Sequence, residues 1–136
     1  MTERTGSCQC GAVAYKVTME PDMVIVCHFT YCQKQSGSAF GLVMVVDEAG
    51  FALTRGSVKT FDGVAASGRA KMGAFCPDCG CRIYHKNAAR VGKVSVRAGT
   101  LDDTSGLEPV AHIWTRDKQP WVVIPEGVKT VEGQPG

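Results

Sequence analysis

FCPDCGCRIY, residues 75–84, decides how the rest of the chain is read. Cys76 and Cys79 form a C-x-x-C knuckle closed by Gly80, a spacing that lets two thiolates face one ion while the tight turn aims backbone N–H groups at the sulfurs. One knuckle supplies half of a tetrahedral site. Its natural complement is SCQCG, residues 7–11, where Cys8 and Cys10 stand just ahead of the first strand-like run. Cysteine is often simply a small core residue, but C-x-C-G and C-P-x-C-G in one short chain favour a closed zinc site of structural type on Cys8, Cys10, Cys76 and Cys79. Such a site ties the N-terminal region to a hairpin more than sixty residues away and couples metal binding to folding, with apparent energies on the order of 10 kcal/mol.

The sequence between and beyond the cysteines reads as strands. Val13, Tyr15 and Val17 alternate with polar or small neighbours, Pro21-Asp22 gives a turn, and MVIVC (23–27) delivers Cys27 at a strand end. FGLVMVV, FALT, SVKTF, RAKMGAF, RIYH and RVGKVSVRAG follow, separated by turn-forming DEAG, RG and DGVAASG. Short strands at this spacing, sixteen glycines and no long 3.6-residue periodicity predict an all-β domain. Any helix is expected to be short, in QKQSG or at LDDTSGL, and EGVKTVEGQPG, from about residue 126 to 136, reads as a surface tail.

At 136 residues the chain fits one domain with a real core. A formal charge of +2 and ordinary composition give no basic or acidic arm, so nucleic acid is not expected as a partner. No run approaches the roughly 18 apolar residues of a membrane span, and MTERTGSCQCG lacks the pattern of a secretory leader, so a cytoplasmic, membrane-free protein is expected. In a reducing compartment seven cysteines suggest metal or thiol chemistry rather than a disulfide framework.

Three cysteines remain: Cys27 and Cys32, in CHFTYC at residues 27–32, and Cys81. Cys27 and Cys32 are the candidate catalytic and metal-binding thiols of a second site that needs a third ligand. Cys81 is the expected donor. His28, next to Cys27 in extended chain, should point to the opposite face.

GSCQCGAVAYKV, CHFTYCQKQSGSAF, FCPDCGCRIY, AGTLDD and HIWTRDKQPW together resemble the successive motifs of the glutathione-dependent formaldehyde-activating enzymes, a family that also includes centromere protein V. The resemblance covers nearly the whole chain. It implies a zinc-stapled β-tent of several small antiparallel sheets, a structural zinc on Cys8, Cys10, Cys76 and Cys79, and a second zinc on a C-H-C-x-x-C loop where glutathione condenses with formaldehyde, formally a carbon–sulfur lyase run in reverse. Laid on this chain, that loop is Cys27, Phe29 and Cys32. Phe29 stands where the family usually has cysteine, and a phenyl ring cannot ligate. Gln33 replaces an arginine, while Lys34 and Ser36-Gly37 persist.

Three readings of the loop follow: a zinc site completed by Cys81 or His28 and acting on a thiol–aldehyde adduct, a metal-free thiol pair, or a relic in a zinc-stabilised binding or scaffold module. For a glutathione-like thiol, Lys34, Arg69, Lys71 and Arg82 are possible carboxylate partners, with Lys34 the one placed in the loop itself. Trp114, Trp121 and His112 resemble the family segment and are candidates for a cleft wall. His85 reads as a surface histidine, and Asp102-Asp103 as a turn.

Overall fold

The computed structural model describes residues 3–134. Strands make up 42% of it and the one α-helix is short, so the all-β expectation holds. Strands β1 (Arg4–Ser7), β2 (Ala14–Val17) and β5 (Phe51–Arg55) form an antiparallel three-stranded sheet in the order β1-β2-β5. The other strands are β3 (Met23–Cys27), β4 (Gly41–Asp47), β6 (Lys59–Val64), β7 (Ala70–Phe75), β8 (Arg82–Asn87), β9 (Lys93–Arg97), β10 (Ala111–Ile113) and β11 (Lys129–Val131). They form an eight-stranded sheet in the order β11-β10-β3-β4-β9-β8-β7-β6. Its pairings are antiparallel except that β10 runs parallel to both β3 and β11.

The unbroken apolar run of β4 has a simple cause. Met44 and Val46 enter a core with Tyr15, Val17, Ile83, Val94 and Val96, while Val43 and Val45, on the other face, join Ile25, Cys27, Cys32 and Ile113. Successive side chains of a strand point to opposite faces, so a strand buried on both sides must be apolar at every position. The same alternation sends Val24 to the first core and Ile25 and Cys27 to the second. Register then sets the cavity wall, because Cys27 lies opposite Gly41 on one side and Ile113 on the other.

Helix α1, Thr30–Ser36, overlaps the expected QKQSG turn but begins inside CHFTYC, placing Cys32 on its buried face. Gly37 ends it at φ 61°, the left-handed conformation a glycine accepts at little cost. LDDTSGL forms no helix. Leu101 makes a bridge to Gly6, and Asp103 accepts from the backbone N–H and hydroxyl of Ser105, the turn chemistry expected of it. The segment expected as a tail contains β11, hydrogen bonded to β10. Residues 135 and 136 lie outside the described residues.

Candidate functional site

The knuckle forms where β7 turns into β8. Cys76 accepts the Gly80 N–H at 2.8 Å on its carbonyl and donates its own N–H to Cys81 at 2.9 Å, with Gly80 at φ 77°. The loop between β1 and β2 brings Cys8 and Cys10 against it, and the sulfurs of Cys8, Cys10, Cys76 and Cys79 all lie within 4.8 Å of one another. Cys10 is 3.7 Å from both Cys8 and Cys76. Four thiolates around a tetrahedral ion at about 2.3 Å would be separated by about 3.8 Å, so the spacing fits a bound metal. Backbone N–H groups also aim at the sulfurs, from Val13 to Cys8 at 3.3 Å and from Asp78 to Cys76 at 3.4 Å, the partners a thiolate requires.

Cys27 and Cys32 form a separate pair. Both are buried, with their sulfurs 3.0 Å apart. Neither expected third donor joins them. Cys81 immediately precedes β8, beside the four-cysteine cluster, where burial and the charges of Cys79, Cys8 and Cys76 push its thiol up. His28 points to the other face, its Nε2 2.8 Å from Nδ1 of His112 and its ring edge-on to Phe40. Phe29 stacks on Trp114 with centroids 4.2 Å apart. A 3.0 Å separation is shorter than two ligands of one tetrahedral zinc would adopt, and cations surround the pair, so these residues do not fit a second metal.

Around the pair stand Lys71, one of the expected carboxylate partners, and Arg97, which was not among them. A cavity of about 60 Å³ touches Cys27, Cys32, Phe29, Lys71, His85 and Trp114. Lys71 and His85 also line a groove of about 470 Å³ with Lys34, Arg82, Tyr31 and Phe61, and among the described residues no carboxylate lines either space. Arg97 is 8% exposed and lies beside Cys32: a Cβ added to Gly41 would meet Arg97 Nη1 at 2.8 Å and Cys32 Cβ at 3.4 Å. Its Nη2 donates to Gln35 Oε1, while among the described residues Nε and Nη1 find no partner.

This field sorts the thiols. Contact with Cys27, then Lys71 and Arg97, outweighs burial and brings Cys32 down to about 6, whereas the same contact and burial push Cys27 up. Desolvation first, then Lys71, Arg97, Arg90 and Arg82, holds His85 well below its ordinary range, so the ring is neutral at pH 7; its buried Nδ1 has no partner among the described residues. Burial likewise lowers Lys71.

Other candidates separate. Lys34 is exposed at the groove, and Arg69 is exposed and lines neither space. Trp121 is 69% exposed, His112 backs His28, and Trp114 alone of the three walls the cavity. Trp114 does so at φ 57°, an uncommon conformation for a bulky residue. Gln33 donates to the carbonyls of His28 and Asp117 at 2.8 and 3.0 Å and accepts from Gln119, fastening α1 to the segment after β10. His85, a candidate ligand or acid–base group read as a surface histidine, lines the cavity instead, and Arg97 was not singled out at all. The only available signal for Arg97 was a charge continuing the apolar run KVSVR.

A small all-β domain closed by four converging cysteines, with a buried dithiol in a cationic cavity, is the class of protein these features define. The family model of the glutathione-dependent formaldehyde-activating enzyme matches residues 3–117, and the chain belongs to that family. A crystal structure of a Rhodobacter sphaeroides protein is similar in fold, with a TM-score of 0.61 and 18% identity, covering 93% of this chain and 98% of that one. No curated protein matches the chain. Among the described residues, no helix is long and apolar enough to cross a membrane.

Proposed function

We propose that the protein is a zinc-stabilised, carbon–sulfur lyase-type enzyme that reversibly joins an anionic thiol of the glutathione class to a small aldehyde such as formaldehyde. Cys8, Cys10, Cys76 and Cys79 would hold one Zn2+, which supplies a structural crosslink and lies outside the reacting cavity. The observation that carries the reading is the groove and cavity that share Lys71 and His85 beside Cys27 and Cys32 and that no carboxylate lines among the described residues. Family membership supports the substrate class.

In this reading Lys34 and Arg82 hold the carboxylates of the thiol in the groove, with its sulfur directed into the cavity. Cys32, a thiolate in contact with Cys27, accepts the proton of the incoming thiol. The substrate thiolate attacks the carbonyl carbon and forms the C–S bond. Lys71, whose half-buried ammonium gives up a proton more readily than a free lysine, protonates the carbonyl oxygen. Proton return from Cys32 to Lys71 closes the cycle, and every step reverses for cleavage.

The test is exchange NMR of glutathione with formaldehyde, paired with calorimetry of glutathione alone on the zinc-loaded protein. The reading requires binding that weakens in Lys34→Ala and Arg82→Ala, and exchange faster than in buffer. Absence of both would leave a binding or scaffold module.

A further inference from the structure

The mismatch between the loop and a metal site has its own chemical meaning. Two buried sulfurs 3.0 Å apart, with no third His, Cys, Asp or Glu ligand atom within 4.8 Å of both among the described residues and with Phe29 and Trp114 stacked beside them, lie close enough for one sulfur to displace a group from the other. Arg97 and Lys71 favour a thiolate and an oxyanion at the same place. The cavity, about 60 Å³, admits a molecule of a few heavy atoms and not a bulky disulfide.

We propose that Cys27 and Cys32 are a metal-free redox dithiol, oxidised to a disulfide by a small peroxide, which gives the chain a two-electron peroxide-reducing activity separate from its aldehyde chemistry. The Cys32 thiolate attacks one peroxide oxygen. The S–O bond forms, the O–O bond breaks, and the departing oxygen takes a proton from Lys71. Cys27 then attacks the Cys32 sulfur, forming the S–S bond and breaking the S–O bond, and its proton leaves with the hydroxide as water. Two thiols and one peroxide become one disulfide, one alcohol or water, and one water, with the sulfurs oxidised and the peroxide reduced by two electrons. A small-molecule thiol resets the pair: two molecules give up two electrons and leave as their own disulfide. Lys71 regains its proton from solvent.

The test treats reduced, zinc-loaded full-length protein with hydrogen peroxide in substoichiometric steps, then reads intact mass, alkylation of each cysteine and zinc retention. The expected result is loss of two hydrogen atoms per chain, with protection confined to Cys27 and Cys32, zinc retained, and reversal by added thiol. In Cys27→Ser the reaction should stop one oxygen heavier at Cys32, trapped by a cyclic diketone. Lys71→Met should slow the peroxide step about tenfold. First oxidation at Cys8, Cys10, Cys76 or Cys79 with zinc release overturns the proposal, as does a second bound zinc that shields Cys27 and Cys32. None of these readouts depends on aldehyde turnover, so either reading can fail alone.

Discussion

Replacing Cys76 by serine removes one of four converging sulfurs and leaves the other three with an incomplete site. The staple joins residues separated by 66 positions, as in the contact of Cys10 with Cys76. Crosslinking a loop of that length restricts the unfolded chain by about 4 kcal/mol, before any metal–sulfur bonding is counted. Domains of this kind are stable by about 5–15 kcal/mol in total, so the loss consumes a large part of the margin. At about 3–4 °C per kcal/mol for a chain of this size, the melting temperature should fall by at least about 12 °C. Cys32→Ser is the matched control. Cys32 is as buried as Cys8, both 3% exposed, but it crosslinks nothing over a long loop and should cost about 1–2 kcal/mol. Thermal melts by circular dichroism, with zinc content measured on the same samples, decide the matter. Equal destabilisation by the two substitutions, or a Cys76→Ser protein melting within a few degrees of the parent, would refute the division into a structural and a reactive cysteine group.

Elemental analysis of reduced protein purified without chelator should give one zinc per chain, lost in Cys79→Ser and retained in Cys27→Ser. Thiolate absorbance, taken as the difference between parent and Cys32→Ser, should rise as pH passes about 6, because the lowered pKa leaves Cys32 protonated below that value and ionised above it; a rise only near the ordinary cysteine range of about 8.5 would contradict the assigned field. Gly6→Ala should destabilise by about 2–3 kcal/mol in urea unfolding, since the added Cβ would sit 2.4 Å from the Tyr15 ring and 2.6 Å from the Thr100 carbonyl. Arg97→Met should return the Cys32 titration toward ordinary values while shifting the melting temperature little, because among the described residues that guanidinium already leaves Nε and Nη1 unpaired.

The strands legible in the sequence were those whose burial repeats along the chain. MVIVC and LVMVV announce β3 and β4 because both faces of each are covered. The strands β1, β10 and β11 have only three or four residues, too few for a local periodicity to mark them, and β10 also depends on β3, more than eighty residues earlier. The four-cysteine cluster was readable because ligand spacing is a local property of a turn. Cys81 was misplaced for a related reason: beyond the left-handed Gly80 the chain enters β8, which keeps that sulfur beside the first cluster. Whether a polar side chain is solvated or turned inward depends on strand order, which is why the placing of His85 on the cavity and of Arg97 beside Cys32 became visible only in three dimensions. Phe29 was recognised as unable to ligate, and its stacking on Trp114 accounts for the space a sulfur would have filled.

The parallel seating of β10 on β3 also sets an order of assembly. A chain leaving the ribosome can present Cys8, Cys10, Cys76 and Cys79 to a metal while its last quarter is still being made, but Ile113 and Trp114, the wall opposite Cys27, arrive late and dock beside a strand made long before. Until then the dithiol lies open along an unpaired sheet edge. During synthesis, the reactive cysteines would therefore be most vulnerable to adventitious oxidation in the interval between stapling of the N-terminal region and arrival of β10.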